Sequence, residues 1–162
     1  MNKTLVAYFS ASGETARLAH TLAEAAQANL FAIEPTQPYT AADLNWNNAA
    51  SRSSVEMNDP ASRPAIARTV DDMAQYDVVL IGFPIWWYQA PRIIETFLEA
   101  YDFSGKTIVP FATSGGSGMG KTENILKAAC SAQTQWKPGM VFSSSASART
   151  LRDWLHSLKL NG

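Results

Sequence analysis

The chain has 162 residues, 46% of them hydrophobic and 17% charged, with a formal net charge of −1. That length suits one domain with a full core, and a charge so near zero argues against nucleic acid or an anionic membrane as a partner. A single cysteine, Cys130, excludes an internal disulfide.

The first residues lead directly into a short apolar run without the pattern of a signal peptide. No stretch reaches the roughly 20 apolar residues that a spanning helix needs. The expectation is a single soluble domain over residues 1–162, working in the cytoplasm.

Thr4 to Phe9 reads as a buried strand that ends abruptly in Ser10-Ala11-Ser12-Gly13-Glu14-Thr15. From Glu14, apolar residues recur at helical spacing (Leu18 and Leu22; Ala19, Ala23 and Ala26), which predicts a helix ending near Ala28. Leu30 to Ile33 is a second short strand, stopped by Pro35 and Pro38. Residues 36–64 are polar and rich in Ala, Ser and Asn, with Tyr39 and Trp46 among them. Their periodicity is poor, although Ala41 to Glu56 allows partial helix. An irregular link this long is unusual in a compact domain and is often functional.

Pro64 is placed to open a helix over residues 65–75, with Ile66, Val70 and Met73 on one face. Asp77 to Gly82 is an unbroken apolar strand, as expected of a central strand covered on both faces. Phe83-Pro84-Ile85-Trp86-Trp87-Tyr88-Gln89 follows, and Pro91 then starts a helix with Ile93, Ile94, Phe97, Leu98 and Tyr101 as its buried stripe. Thr107 to Thr113 is a strand in which Pro110 predicts a bulge or an early end to pairing. After Ser114-Gly115-Gly116-Ser117-Gly118 come a helix from about Lys121 to Ala132, a last strand over residues 139–143, and a closing helix marked by Leu151, Trp154, Leu155 and Leu158.

Strand and helix thus alternate five times, the pattern of a parallel sheet with helices on both faces. Ligands bind such sheets beyond the carboxyl ends of the strands, where the strand order reverses. Three loops at that edge carry unusual chemistry. The first, Ser10 to Thr15, offers hydroxyls and a helix N-terminus to an anion such as phosphate; a plain N-capped helix is the alternative. The second sets three aromatics in a row. Flat faces of this kind stack on planar rings at about 0.5–1.5 kcal/mol per pair beyond area burial, and packing on a neighbouring helix or a dimer mate is the alternative. The third lets backbone approach a ligand closely.

The third loop also opens a match to G-x-x-x-x-G-K-[ST], Gly115 to Thr122, the P-loop of nucleotide triphosphatases. This reading ranks second. The remainder of the chain after Thr122 is short for the rest of such a domain, and no apolar strand ends in the Asp that would hold magnesium beside Thr122.

Tyr8-Phe9-Ser10-Ala11-Ser12-Gly13-Glu14-Thr15 resembles the phosphate loop of the flavodoxins. Gly82 to Tyr88 and Thr113 to Gly118 resemble that family's two loops beside the flavin ring. The likeness spans nearly the whole chain in the right order. No long insertion follows Gly139, as in the short-chain branch. The resemblance implies an α/β fold with a five-stranded, doubly wound parallel sheet of order 2-1-3-4-5, and non-covalent FMN. Carried over by position, Ser10, Ser12, Gly13, Glu14 and Thr15 would surround the phosphate. Pro84, Ile85, Trp86, Trp87 and Tyr88, with Ser114, Gly115, Gly116, Ser117 and Gly118, would line the isoalloxazine.

Three departures qualify this. Glu14 stands where the family usually has Asn, so only its N–H is expected to serve a phosphate. The net charge lacks the acidity that steers electron carriers to basic partners. Residues 84–89 contain no Gly, whereas one-electron carriers often use a Gly peptide that flips beside the flavin. Together they favour a two-electron flavin reductase, or a specialised redox protein, over a general electron shuttle; the expected function is that of an FMN-dependent protein that carries electrons or reduces a small acceptor such as a quinone. Residues 36–64 are then a candidate lid over the flavin, with Tyr39 and Trp46 as contacts. No protein acid or base and no metal ligand stands out, and His20, His156 and Cys130 read as ordinary helix residues. The expected partners are a small-molecule or protein electron donor or acceptor, with a second copy of the chain, as a homodimer, also open. A non-redox partner-binding module, with Trp86 and Trp87 as interface anchors, is the third reading.

Overall fold

The computed structural model describes residues 3–114 and 118–160. Strand β1 (Thr4–Tyr8) pairs in parallel with β2 (Asn29–Ala32) on one side and with β3 (Val78–Pro84) on the other. Strand β4 (Thr107–Thr113) continues the sheet beyond β3. The fifth position is shared by two short strands. β5 (Gln135–Trp136) pairs with Thr107 and Ile108, and β6 (Met140–Phe142) pairs with Phe111 to Thr113. The sheet order is therefore 2-1-3-4-5, as expected from the sequence.

Pro110 explains the split. It pairs in register with Ile81 of β3, but the outer ladder is interrupted beside it, because proline has no N–H to donate. The pairing fails on one side only, where β5 ends and β6 begins.

Helices cover both faces. α1 (Glu14–Ala26) and α5 (Ala148–Leu158) bury Leu18, Leu22, Leu151 and Trp154 with Val6, Leu80 and Val109. On the other face α3 (Arg92–Glu99) and α4 (Thr122–Ala128) bury Ile93, Ile94, Phe97 and Leu126 with Leu5, Ala7, Val79 and Ile81. The alternation along β1 and β3 is two-sided: every residue of β3 up to Phe83 is buried, as a central strand requires.

The helix expected over residues 65–75 does not form. A single 3₁₀ turn, Met73–Gln75, is all that is helical there. Ile66 instead makes an antiparallel bridge with Pro35, and the backbone bonds of Thr36 to Ala65 and of Ala67 to Glu34 hold the two extended chains together. Ile66 and Val70 still pack on the core, so the apolar spacing was satisfied without a helix. The short helix in this region lies earlier, as α2 (Arg52–Asn58) within residues 36–64.

Candidate functional site

The strand order reverses between β1 and β3, so the chain leaves their carboxyl ends in opposite directions and opens a crevice. A cleft of about 580 Å³ lies there. Ala11 and Ser12 after β1 form one side, and Pro84, Ile85, Trp86 and Trp87 at the end of β3 form another. Leu44, Trp46 and Ser53, all from residues 36–64, close the third.

The β1 loop turns into α1 through Gly13, whose φ of 92° lies in the left-handed region that favours glycine. Gly13 donates its N–H to the Ser10 hydroxyl at 3.1 Å. No side chain caps α1, so the positive end of the helix faces outward beside the exposed Ser12. Glu14 is exposed. Thr15 turns the other way. It is 1% exposed, and its hydroxyl shares a 2.7 Å hydrogen bond with that of Thr113 at the end of β4. Thr15 thereby ties the start of α1 to the strand that precedes the glycine loop.

The aromatic loop is a tight turn. Trp86 and Gln89 exchange two backbone hydrogen bonds, of 2.8 and 3.1 Å, and Trp87 and Tyr88 between them have φ of 49° and 64°. Two bulky residues held at positive φ are costly and need support from their surroundings. Part of that support is Gly120, where a Cβ would stand 2.5 Å from the Tyr88 carbonyl oxygen; the aromatic turn and the run into α4 therefore pack directly together. Trp86 is half-buried, edge-on to Phe9 at 5.8 Å and to Tyr39 at 5.5 Å. Trp87 and Tyr88 are exposed. Trp87 lines the cleft and Tyr88 does not.

Of the third loop, Ser114 is half-buried and Gly118 exposed, while Gly115, Gly116 and Ser117 lie outside the described residues. Thr122 is fully buried and donates its hydroxyl to the Met119 carbonyl. A P-loop threonine must offer that oxygen to a magnesium ion, so the buried arrangement does not favour the nucleotide triphosphatase reading.

Residues 36–64 form one wall of the cleft and are tied to the rest of the domain by side chains. The buried Arg92 at the start of α3 donates to the carbonyls of Glu56 and Met57 (3.3 and 2.9 Å), to the Gln89 side chain (3.1 Å) and to Glu95 (3.0 Å). One guanidinium thus holds α2 and the aromatic turn together. Arg63 adds ion pairs to Glu95 and Glu99. Tyr39 does not reach the cleft. Its ring packs under Trp86, Phe9 and the Arg52 guanidinium, and its hydroxyl donates to Glu56. Burial, and then the bond to Glu56, push the Tyr39 phenol well above its ordinary value. Trp46 does line the cleft and is largely exposed at its rim.

Leu44 and Ser53 were not apparent as site residues from the sequence, because an Ala/Ser/Asn-rich stretch marks no single position. Burial pushes the Cys130 thiol up to about 11, as for an unreactive packed thiol. Among the described residues no group of three His, Cys, Asp or Glu side chains is placed to hold a metal, and no helix is long and apolar enough to cross a membrane.

The comparisons with known proteins agree with this architecture. A crystal structure of a candidate flavoprotein from Bacteroides eggerthii DSM 20697 is 51% identical and superposes with a TM-score of 0.92, covering 98% of each chain. A candidate flavoprotein from Bacteroides uniformis ATCC 8492 is 50% identical, with a TM-score of 0.90 over 96% of this chain and 98% of that one. A flavoprotein from Lactobacillus acidophilus NCFM, solved in complex with FMN, shares the fold at 21% identity and a TM-score of 0.69, over 87% and 93% of the two chains. No curated protein matches the sequence. The family model for flavodoxin matches residues 3–158, and the chain belongs to the flavodoxin family.

Proposed function

We propose that the protein binds one FMN non-covalently in the cleft at the β1/β3 switch point and reduces a small acceptor, of quinone type, with electrons from a soluble donor in the cytoplasm. One observation carries this reading. A single cleft brings Ser12, which just precedes the uncapped start of α1, together with an uncharged wall of Ile85, Trp86 and Trp87. An anion with a flat ring attached meets both requirements.

The flavin would supply the redox chemistry, and the chain's residues bind and orient it. The N–H groups at the start of α1, with the hydroxyls of Ser10 and Ser12, would hold the phosphate. Thr15 would act through Thr113, keeping the helix start in line with β4. Pro84, Ile85, Trp86 and Trp87 would face the ring, with Tyr88 at its edge.

Two features support acceptor reduction over shuttling between proteins. The turn at residues 86–89 is closed by two mutual hydrogen bonds, so it resists rearrangement beside the ring. The net charge of −1 offers little long-range steering. Exposed Trp46, Trp87 and Tyr88 at or beside the cleft favour a second reading, docking of a protein donor at the same opening.

Titrating the purified protein with FMN tests the central claim. The expected result is quenched flavin fluorescence that saturates at one flavin per chain. Protein that leaves FMN fluorescence unchanged rejects it. Bleaching of the bound flavin by a nicotinamide donor, with recovery on adding a quinone, tests the acceptor.

A further inference from the structure

The 36–64 wall contains an unsatisfied group. Three serines lie buried in and before α2. Ser51 accepts from the Ser54 N–H and donates its own hydroxyl to the Ser54 hydroxyl at 2.9 Å. The third, Ser53, is 2% exposed, and among the described residues its hydroxyl is the one buried side-chain polar atom that has no hydrogen-bond partner.

A buried hydroxyl without a partner costs about 1–3 kcal/mol. Ser53 also lies on the cleft. Its backbone is fixed, because its N–H donates to the Asp43 carbonyl at 3.0 Å and Arg92 holds the far end of α2 by two carbonyls. The backbone that carries the hydroxyl is therefore held at the cleft, and the hydroxyl itself can turn about its one side-chain bond toward it.

We propose that Ser53 is a flavin-binding residue, its hydroxyl making a hydrogen bond to a polar atom of the isoalloxazine ring. This rests on the FMN reading above and adds a ligand contact from the 36–64 segment. The ring is favoured over the phosphate because no charged residue lines the cleft, and most of the lining (Leu44, Trp46, Ile85, Trp86 and Trp87) is large and apolar. A dianionic group has nothing to balance it on that wall, whereas a neutral ring with carbonyl and imide edges buries its faces on the aromatics and needs one polar contact at its rim. The flavin would satisfy the hydroxyl, and the hydroxyl would tune the ring's potential through that bond.

The test is Ser53→Ala in the full-length protein, with Ser53→Thr as the variant that keeps a hydroxyl. Four quantities are read: the apo melting temperature, the Kd for FMN, the Kd for riboflavin and the midpoint potential of the bound flavin. Ser53→Ala is expected to leave the apo melting temperature unchanged or raise it, since an unsatisfied polar group is removed. It should weaken FMN and riboflavin alike by about tenfold and shift the potential, and Ser53→Thr should restore much of the affinity.

A lower apo melting temperature in Ser53→Ala would assign the hydroxyl a structural role and overturn the proposal. Weakened FMN with unchanged riboflavin would place the contact at the phosphate and overturn the ring assignment. Unchanged Kd and potential in Ser53→Ala, with wild-type protein binding FMN normally, would overturn the proposal while leaving the FMN reading intact. Wild-type protein that ignores FMN would overturn both.

Discussion

The cleft has two kinds of wall. The wall on the sheet side grows directly out of β1 and β3, so its residues are placed by strands that are paired on both sides and buried on both faces. Among the described residues the wall made by 36–64 contributes no strand to the sheet; the isolated Pro35–Ile66 bridge flanks it, and it is held by side chains: Arg92, Arg63, Tyr39, Arg52 and Glu56. A site can thus combine a backbone-determined half with a half suspended from a few side-chain contacts, of which the Arg92–Glu95 pair is buried and the other ion pairs are partly exposed. The second half is more exposed to single substitutions.

The largest effect is expected from Arg92→Ala. It leaves the Glu56 and Met57 carbonyls without their donor and breaks the buried pair with Glu95. Removing one partner of such a pair costs about 3–5 kcal/mol. Urea unfolding should show this loss, and FMN affinity should fall with it because Gln89 and α2 lose their common anchor. Wild-type stability in Arg92→Ala would mean that the second wall is held some other way.

Gly82→Ala probes the sheet side. A Cβ there would lie 2.2 Å from the Phe111 ring, inside the core. Overpacking of this kind costs about 1–3 kcal/mol, to be read as a drop in melting temperature. Because β3 ends at the cleft, a displaced strand should also weaken FMN; full stability and affinity together would show that the core yields more readily than its packing suggests.

Tyr39→Phe keeps the ring under Trp86 and removes only the bond to Glu56. The expected cost at neutral pH is about 1 kcal/mol. The Tyr39 phenol has a folded-state pKa above its ordinary value of 10.0. Its contribution is therefore fully present below pH 10 and is lost as the pH rises from there toward the folded value. Urea midpoints measured across that range should show the gap between wild type and Tyr39→Phe closing. A constant gap would separate the hydrogen bond from the titration.

The smallest effect concerns Glu14. Glu14→Gln removes a carboxylate beside the expected phosphate and should tighten FMN about two- to fivefold at low salt, fading at high salt. The same change gives up a favourable charge in the first turn of α1, so stability should fall by a few tenths of a kcal/mol. An affinity independent of both substitution and salt would place the phosphate away from this helix start.

Much of this was legible in the residues. The strands β1, β3 and β4 are contiguous apolar runs, and α1, α3 and α5 carry stripes at helical spacing, so short-range pattern was enough to place the elements, while the strand order came from the resemblance to the flavodoxins. The cleft residues Ser12, Pro84, Ile85, Trp86 and Trp87 stood out for the same reason, being abrupt changes of chemistry at strand ends. Ile66, Val70 and Met73 have helical spacing too, yet Pro35 and Glu34 supply an extended partner and the helix is not made. The Gly115 to Thr122 motif has phosphate-loop spacing, but Thr122 spends its hydroxyl on Met119.

What the sequence by itself determined is the alternating order of elements and the residues of unusual chemistry that follow the strands; the strand order, and with it the switch point, came from the family resemblance. The first two depend on hydrophobic period and chain punctuation, which are local. The tertiary structure alone decided that residues 36–64 form a wall, that Tyr39 supports the cleft from beneath, that Thr15 turns to Thr113, and that Ser53 is buried without a partner. Each depends on contacts between residues far apart in the chain, in some cases made by single polar atoms, and such contacts leave no periodic trace in the sequence.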